Sequence, residues 1–299
     1  MDRFTEMQIF QAVAESEGFA AGARKLNISA PVATRAVADL EKRLGVKLLN
    51  RTTRHVRVTE AGQRYLDDVK RILTSVFEAD EAAIGTNAEP RGQLVVTAPV
   101  LFGRMFIMPS IVDYLQQYPA VEVTALFVDY LLNMLEEGVD VAVRIGELNN
   151  STYKAAKVGE VRRVVCASPD YLARLGTPNA PEELSCHQII LASNLGAKVD
   201  WRFASAEQQE ITVRVKPRLT VTSNDAAIEA AVSGLGLTRL LSYQIAPELA
   251  SGQLRIVLAE FENAPIPVHI LHREGRLTTA KIRNFIDLLT ERLRQDLAL

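Results

Sequence analysis

The chain contains few of the residues that build disulfide frameworks and metal centres. Its 299 residues include only two cysteines, Cys166 and Cys186, and four histidines. Two cysteines cannot form a disulfide framework, and their spacing matches no zinc-ligand pattern. We therefore interpret both as reduced structural thiols, and we expect no metal and no other cofactor.

Long apolar runs and catalytic motifs are also missing. No segment reaches the roughly 18 consecutive apolar residues of a membrane span. The first ten residues, MDRFTEMQIF, lack the apolar stretch of a secretory signal. We thus expect a cytoplasmic protein with no membrane contact. No HExxH, GxSxG or P-loop pattern occurs, so the sequence shows no catalytic residues and an enzyme is not expected.

Positive charge is present, but it is concentrated in one segment. The chain has a formal net charge of −2, yet the segment from Arg24 to Arg57 carries nine Lys and Arg residues against the two acids Asp39 and Glu41. A basic segment on an acidic body is typical of a nucleic-acid-binding module attached to a larger domain. The alternative is an ordinary solvated surface with scattered basic side chains.

The same segment has the pattern of short helices joined by a tight turn. A helical period runs from Phe4 to Glu15, Gly18 interrupts it, and a short Ala-rich helix follows to about Asn27. Ser29 is placed to cap a third helix. We expect that helix to turn Val32, Ala36, Leu40 and Leu44 inward and small and basic side chains outward, as a helix entering the DNA major groove requires. The next residues, LLNRTTRHVRVTEAG, predict a two-stranded wing.

The segment FAAGARKLNISAPVATRAVADLEKRLGVKLLNRTTRHVRVTEAG closely resembles the winged helix-turn-helix of the LysR-type transcriptional regulators, and the resemblance extends along the whole chain. It implies a sequence-specific regulator that binds double-stranded DNA as a homodimer or homotetramer, with RNA polymerase as a further candidate partner. Many relatives carry Gln where this chain has Ala30, so that base contact does not carry over. The implied DNA-contacting residues are Ser29, Ala30, Pro31, Thr34, Arg35, Arg51 and Arg54.

A long helix is predicted after the wing, from Thr59 to about Thr86. Tyr65, Val69, Ile72 and Val76 follow one another at heptad-like steps, which favours pairing with the same helix of a second chain. The alternative is a single amphipathic helix packed on its own domain. The segment NAEPRGQ then ends the helix as a hinge.

Beyond Gly92 the pattern alternates between strands and helices, with the segment YLLNMLEEG as one of the helices, which predicts a parallel, helix-covered sheet. By the resemblance, this region is a two-lobed effector-binding domain similar to periplasmic binding proteins, so the fold class is α/β. The predicted boundaries are residues 1–58 for the winged helix-turn-helix, 59–91 for the linker helix and hinge, and 92–299 for the effector-binding domain. Lobe I covers about 92–165 and 267–299, and lobe II about 166–266.

Ligands of open α/β sheets bind at the carboxyl ends of strands, where helix N-termini present N–H groups. Each loop at these strand ends could equally be an ordinary connecting loop. That the loops converge on one ligand site is implied by the resemblance. Arg144 and Arg239 each end a strand-like run and could hold a carboxylate or pair with a neighbouring acid; of the two, we favour Arg239. A polar or anionic small-molecule effector is expected. The predicted effector-binding residues are Pro99, Val100, Leu101, Asp129, Tyr130, Gly146, Ser193, Asn194, Ser223, Asn224 and Arg239.

Two other functions compete with a ligand-controlled regulator. One is an enzyme on a two-lobed scaffold with an accessory basic head, for which no nucleophile and base are seen. The other is an architectural DNA-binding protein whose cleft no longer binds a ligand. A test for ligand binding distinguishes the architectural protein from the ligand-controlled regulator.

Overall fold

The computed structural model describes residues 1–51, 56–84, 89–130, 132–148, 153–193, 199–204, 210–273 and 279–296. The chain divides into two compact units, the head unit Met1–Ala88 and the larger unit Glu89–Leu299. Among the helices of these residues, none is both long and apolar enough to cross a membrane.

The head unit is a three-helix core followed by a hairpin and a long helix. The side chain of Asp2 caps the first helix by accepting a 3.0 Å hydrogen bond from the Thr5 amide. The fully buried Phe10, Val13 and Val37 form the centre of the core. The elements are α1 (Arg3–Glu15), α2 (Phe19–Lys25), α3 (Ala30–Leu44), β1 (Leu49–Arg51), β2 (Val56–Val58) and α4 (Glu60–Ile84).

Helices α1 and α2 approach closely because of one glycine. A Cβ atom at Gly22 would lie 2.7 Å from the backbone of Val13, a distance that packed atoms do not tolerate. The small Ala23 beside it is also buried. The small residues of the Ala-rich second helix therefore let its backbone pack directly against that of α1.

Helix α3 buries a different stripe from the one that its sequence spacing predicted. Val32 and Leu44, expected to face inward, are 39% and 38% exposed. Steps of four residues drift around a helix of 3.6 residues per turn, so a stripe drawn through every fourth residue leaves the core at both ends. The residues that α3 buries are Ala33, Ala36, Val37, Leu40 and Glu41.

The wing, defined as β1 and β2, is an antiparallel pair in which Leu49 is opposite Val58 and Arg51 is opposite Val56. Its tip, residues 52–55, lies outside the described residues. Helix α4 begins at Glu60, one residue after the predicted start at Thr59.

The larger unit contains two five-stranded sheets, one in each lobe. The strand orders are β4-β3-β5-β14-β6 in the first lobe and β11-β8-β12-β7-β13 in the second. The strands are β3 (Gly92–Ala98), β4 (Val121–Phe127), β5 (Val141–Ile145), β6 (Tyr153–Val161), β7 (Arg163–Ala167), β8 (Ile189–Ala192), β11 (Pro217–Val221), β12 (Leu237–Leu241), β13 (Arg255–Val257) and β14 (Ile266–Arg273), and β9 (Asp200–Ala204) pairs separately with β10 (Glu210–Arg214).

Both sheets are mixed rather than parallel, which corrects the prediction. In the first lobe β14 is antiparallel to β5 and β6, and in the second lobe β7 is antiparallel to β12 and β13. The antiparallel strands are those next to the points where the chain crosses between lobes. A crossing that enters a sheet from the other lobe does not have to make the parallel βαβ connection.

The crossings also fix where the lobes divide. Strand β7 belongs to the second sheet and begins at Arg163, so residues 163–165, predicted in lobe I, lie in lobe II. Strand β14 returns to the first sheet from Ile266, one residue before the predicted return.

Helices cover the sheets, but one segment that was predicted to be a helix is not helical in its described residues. The segment YLLNMLEEG was expected to be helical, but its described residues form turns. The Asn133 side chain accepts a 3.1 Å hydrogen bond from the Leu135 amide, a local bond that competes with helix formation. The helices are α5 (Val100–Phe102), a π-helical turn (Gly103–Ile107), α6 (Met108–Gln117), α7 (Pro169–Leu175), α8 (Asn224–Val232), α9 (Ala246–Ala250) and α10 (Ala280–Asp296), with short 3₁₀ turns at Pro181–Cys186, Ser242–Ile245 and Ala259–Phe261.

Candidate nucleic-acid interface and effector cleft

The solvent side of α3 carries the side chains that the sequence assigned to DNA. Ser29, Pro31 and Arg35 are exposed, and Ala30 and Thr34 are half-buried. Ser29 occupies the N-cap position, but its side chain makes no capping hydrogen bond. No acid lies in the first turn of α3, so the positive end of the helix dipole is not neutralised locally.

Ion pairs divide the basic residues of the head unit into two groups. Lys25, Arg43 and Lys47 pair with Glu15, Glu6 and Glu41 at 3.1, 2.9 and 2.6 Å. The first two pairs link α2 and α3 to α1, and the third links the segment before β1 to α3, so the charge of these three basic side chains is already partly neutralised. In the basic segment Arg24–Arg57, the described basic residues that make no ion pair within the described part of the chain are Arg24, Arg35, Lys42 and Arg57.

Glu41 connects α3 to the wing, a role that sequence reasoning missed. Its buried carboxylate accepts hydrogen bonds from the Leu48 and Leu49 amides at 2.9 and 3.1 Å and from Lys47 Nζ at 2.6 Å. Burial by itself raises the pKa of Glu41, but the hydrogen bonds from Lys47 and the two amides outweigh burial and lower the pKa. Glu41 is one of only two acids in a strongly basic segment, which was the available signal for a structural carboxylate.

The predicted wing arginines are only partly described. Arg51 lies in β1, opposite Val56, and nothing is described of its side chain. Arg54 lies outside the described residues. Both remain predictions.

The predicted seam on α4 separates into two faces. Val69 is fully buried in the core of the head unit, and the Tyr65 ring packs against Phe10 with centroids 5.5 Å apart. Val69 therefore has no surface to offer a second chain, which corrects its assignment to the seam. Ile72 and Val76 are 40% and 36% exposed. They lie in a surface groove lined by Phe4, Tyr65, Asp68, Arg71, Ile72, Ser75, Val76 and Ala79, which we call the linker groove.

In the larger unit, a cavity of about 370 Å³ is lined by residues from both sheets. This size suits a small metabolite. We call it the cleft, and it lies where the sequence placed it, at strand ends. Its lining residues are Pro99, Asp129, Ile145, Gly146, Arg163, Ala192, Asn224, Arg239, Leu240, Leu241, Tyr243, Gln244 and Ile266.

Arg239 is the most constrained cation of the cleft. Its guanidinium carbon lies 4.6 Å from the ring centroid of Phe203 and 5.8 Å from that of Trp201, and Nη2 donates to the Arg202 carbonyl. Its Nε is buried and has no partner among the described residues. Burial first, and then the positive charge of Arg163, lower the pKa of Arg239 to about 10.

Arg163 lies on the same face of the second sheet. It is opposite Leu241 in the β7–β12 register, two residues along β12 from Arg239, so the two arginines are diagonal neighbours. Neither makes an ion pair with any acid of the described residues. Two adjacent like charges without an acid are costly unless an anion binds between them.

Tyr243 and Gln244 also line the cleft. The Tyr243 ring packs edge-on against Phe102 and Phe106 of the first lobe at 5.2 and 5.8 Å. Burial raises the pKa of Tyr243, so its hydroxyl remains protonated. Gln244 is held by a 2.9 Å hydrogen bond from the Leu241 amide to its Oε1.

Five predicted effector-binding residues line the cleft: Pro99, Asp129, Gly146, Asn224 and Arg239. Other predicted residues have different positions, because the sequence indicates a loop but not which way each side chain points. Leu101 is buried in the core, Val100 and Tyr130 are 39% and 61% exposed, and Asn194 lies outside the described residues.

Two predicted residues near the cleft have structural partners. Ser223 uses its hydroxyl to cap α8 at the Ala226 amide, and the Ser193 amide donates to the Val221 carbonyl at 2.9 Å. The sequence prediction missed two cleft residues, Arg163 and Tyr243. For Arg163 a signal was visible, because the doublet Arg162–Arg163 precedes the apolar run VVCA.

Comparison with known proteins agrees with this geometry. The family model described as "Bacterial regulatory helix-turn-helix protein, lysR family" matches residues 4–63, and the model "LysR substrate binding domain" matches residues 87–294. A regulator from Xanthomonas campestris named "HTH-type transcriptional regulator" is 34% identical over 291 residues, covering 96% of this chain and 85% of that protein.

A second relative is similar in both sequence and structure. The transcriptional regulator CrgA of Neisseria meningitidis serogroup B is 30% identical over 293 residues, covering 98% of this chain and 97% of that protein. The solved structure of CrgA from Neisseria meningitidis covers 98% of this chain and 99% of its own, with a TM-score of 0.62 and 29% identity. With a DNA-binding head, a two-lobed ligand-binding unit and both family models matched, the chain belongs to the LysR family of DNA-binding, effector-responsive transcription regulators.

Proposed function

We propose that this regulator responds to a small metabolite that carries a carboxylate or a similar anionic oxygen group. The observation that carries the proposal is the pair Arg163 and Arg239, two neighbouring cations that line a cavity of about 370 Å³ and make no ion pair with the described acids. An arginine can donate two parallel hydrogen bonds to one carboxylate.

The rest of the cleft supports a ligand with one charged end and a compact body. Asn224 begins α8, so the first amides of this helix point toward the same cavity and favour a negative group. Ile145, Leu241 and Ile266 add apolar walls. Asp129 faces the cavity as well and suits a hydroxyl or amine elsewhere on the ligand.

A thermal-shift screen of small carboxylates, matched with their neutral amides, tests the proposal. A ligand at 100 times its Kd should stabilise the protein by about 2.7 kcal/mol. Arg239→Met should remove the shift, and Asn224→Leu should remove both the shift and the ligand's effect on transcription. Arg218→Met is the matched control, because Arg218 is exposed, bonds to Gln188 and is not among the cleft residues. If the amides stabilise as well as the acids do, the anionic assignment is wrong.

For DNA, we propose that α3 enters the major groove with Ser29, Ala30, Pro31, Thr34 and Arg35, and that Arg51 and Arg54 of the wing contact phosphates. The exposure of Ser29, Pro31 and Arg35 supports this assignment, as does the absence of an ion pair at Arg35 among described residues. Sequencing the DNA that the purified protein retains would identify the operator.

For assembly, we propose a homodimer or homotetramer in which the exposed residues Ile72 and Val76 of α4 contact a second chain, with Phe4 and Tyr65 alongside. A regulator of chromosomal genes would act in the bacterial cytoplasm and contact RNA polymerase at its promoters. We further propose that it is not an enzyme, since the relatives that carry both domains are named as regulators. An architectural role with a ligand-free cleft would show as no shift with any metabolite.

A further inference from the structure

Three basic residues lie in one row across the first lobe's sheet. His269 of β14 is directly opposite Arg144 of β5 on one side and Lys157 of β6 on the other. Directly opposed residues of neighbouring strands point to the same face. The row therefore places a guanidinium, an imidazole and an ammonium group side by side, on the face opposite to the core residues Val143 and Ile270.

An irregularity in β6 creates this row. Val268 is opposite Gly159 and the next residue, His269, is opposite Lys157, so Val158 is an extra residue in the strand. Such bulges redirect side chains and often lie beside functional sites. Without the extra residue, Val158 rather than Lys157 would be opposite His269.

The charges in the row are not balanced within the described chain. Lys157 is ion-paired with Glu160 at 2.5 Å, but no carboxylate of the described residues pairs with Arg144 or His269. Arg144 Nη2 and His269 Nδ1 are both buried and lack a hydrogen-bond partner in this part of the chain. Arg144 Nη1 donates to the carbonyl of its neighbour Val143 at 3.3 Å.

Buried polar nitrogens and a half-buried cation without partners are costly, and native proteins normally satisfy them. Desolvation is the cause that lowers the pKa of Arg144, with no nearby acid to oppose it. A partner from outside the described residues would complete this site, and a negatively charged oxygen group accepts from Arg144 Nη2 and, in the tautomer with its hydrogen on Nδ1, from His269 as well.

We propose that Arg144 and His269 form a second anion-binding site, separate from the cleft, that takes a small carboxylate with a compact apolar body. Neither residue lines the cleft. The same sheet face supplies the apolar contacts: Ala142 and Leu271 follow along the two strands, and Leu148 and Tyr153 pack partly buried against them. A ligand here would bind the first lobe alone, whereas the cleft is lined by both lobes.

The test uses histidine NMR on the full-length protein. The chain has four histidines, so selective ¹⁵N labelling gives few ring signals, and His269→Gln identifies the one from His269. The probes are benzoate and inorganic phosphate. We expect benzoate to shift the His269 ring signals in a saturable way, and Arg144→Gln to weaken this response at least about tenfold, since it removes a charge-assisted donor.

The controls separate this site from the cleft and from misfolding. Arg239→Gln should respond to benzoate as the wild type does, because Arg239 belongs to the cleft. Arg144→Lys keeps the charge and should retain part of the response even if Arg144→Gln is unstable. The proposal is overturned if benzoate leaves the His269 signals unchanged, if only phosphate shifts them, or if the response is lost in Arg239→Gln and kept in Arg144→Gln.

Discussion

Arginines in the two units of this regulator have opposite surroundings. Arg35 of the head unit is exposed on α3, whereas Arg239 of the larger unit is half-buried against Phe203 and Trp201. Neither makes an ion pair with an acid of the described residues. Under the proposed function, the same type of side chain serves two kinds of negative partner.

The difference follows from the dielectric surroundings of each charge. An exposed charge is screened by water and salt, so a polyanion must be held by many such charges together. A half-buried charge acts through a less polar medium, so each contact is stronger, but its geometry accepts one small partner. DNA binding should therefore depend on the number of contacts, and effector binding on their geometry.

Salt concentration should have the largest effect, and it should change DNA binding by the head unit much more than effector binding by the larger unit. With roughly four to eight phosphate contacts per dimer, the log–log slope of DNA affinity against salt should be about −4 to −7. Effector affinity should fall far less over the same range, because one small anion meets only Arg163 and Arg239. Fluorescence anisotropy with DNA and calorimetry with the effector measure the two slopes. Equal salt slopes for DNA and effector would contradict the distinction between exposed and half-buried arginines. A salt slope near zero for DNA affinity would contradict DNA binding by the head unit.

Breaking the proposed dimer through α4 should have the next largest effect, since it halves the number of exposed charges that act together. Ile72→Glu places a charge in the apolar linker groove, and burying it against a partner is unfavourable by about 2 kcal/mol or more. Light scattering should show dissociation, with a smaller salt slope for DNA.

Thr74→Glu is the matched control for this prediction. Thr74 is exposed on the same helix, two residues away, and does not line the linker groove. It should leave the oligomer unchanged. If Ile72→Glu also leaves it unchanged, the groove does not mediate assembly.

A finer effect distinguishes two exposed arginines within the head unit. Arg35 lies on α3 and Arg57 on β2, and both are exposed. If Arg35 contacts a base edge, Arg35→Ala should cost about 1–3 kcal/mol on the operator and relax sequence preference, while Arg57→Ala should weaken operator and random DNA alike. Competition binding with both DNAs measures this. Equal losses from Arg35→Ala on both would show that Arg35 contacts only phosphate.

The head unit was predictable because its signals are local. The N-cap position of Ser29 and the Gly18 break can each be recognised within a few residues, and the charge excess lies within the one segment Arg24–Arg57. The prediction was wrong where the helical period mattered in detail, at Val32 and Leu44, whose exposure depends on helix phase.

The cleft was only half predictable because it is assembled from distant strands. Asn224 and Arg239 were found from their positions at element ends, but Arg163 and Tyr243 needed the β7–β12 register and the aromatic contact with Phe102. The hydrophobic periodicity of a strand does not show which distant strand it pairs with. The antiparallel direction of β14 was missed for the same reason.

The smallest effect concerns the acid that holds the wing in place. The lowered pKa of Glu41 means that its ionised form binds Lys47 and the Leu48 and Leu49 amides more strongly in the folded than in the unfolded state. The stability this provides is fully present above the ordinary pKa of 4.5 and is lost as the pH falls through the lower folded-state pKa.

Glu41→Gln should therefore destabilise the head unit by about 1–2 kcal/mol at pH 7, because charge-assisted hydrogen bonds become neutral ones, and by progressively less as the pH falls below 4.5. Hydrogen exchange at the Leu48 and Leu49 amides reports the loss locally. Glu60→Gln is the control: Glu60 is exposed and pairs with Arg64 at 3.2 Å, so its loss should change stability little. Equal protection of the two amides in Glu41→Gln and wild type at pH 7 would show that the wing is held by other contacts, such as the hydrogen bonds of Thr59 to the Lys47 and Leu48 carbonyls.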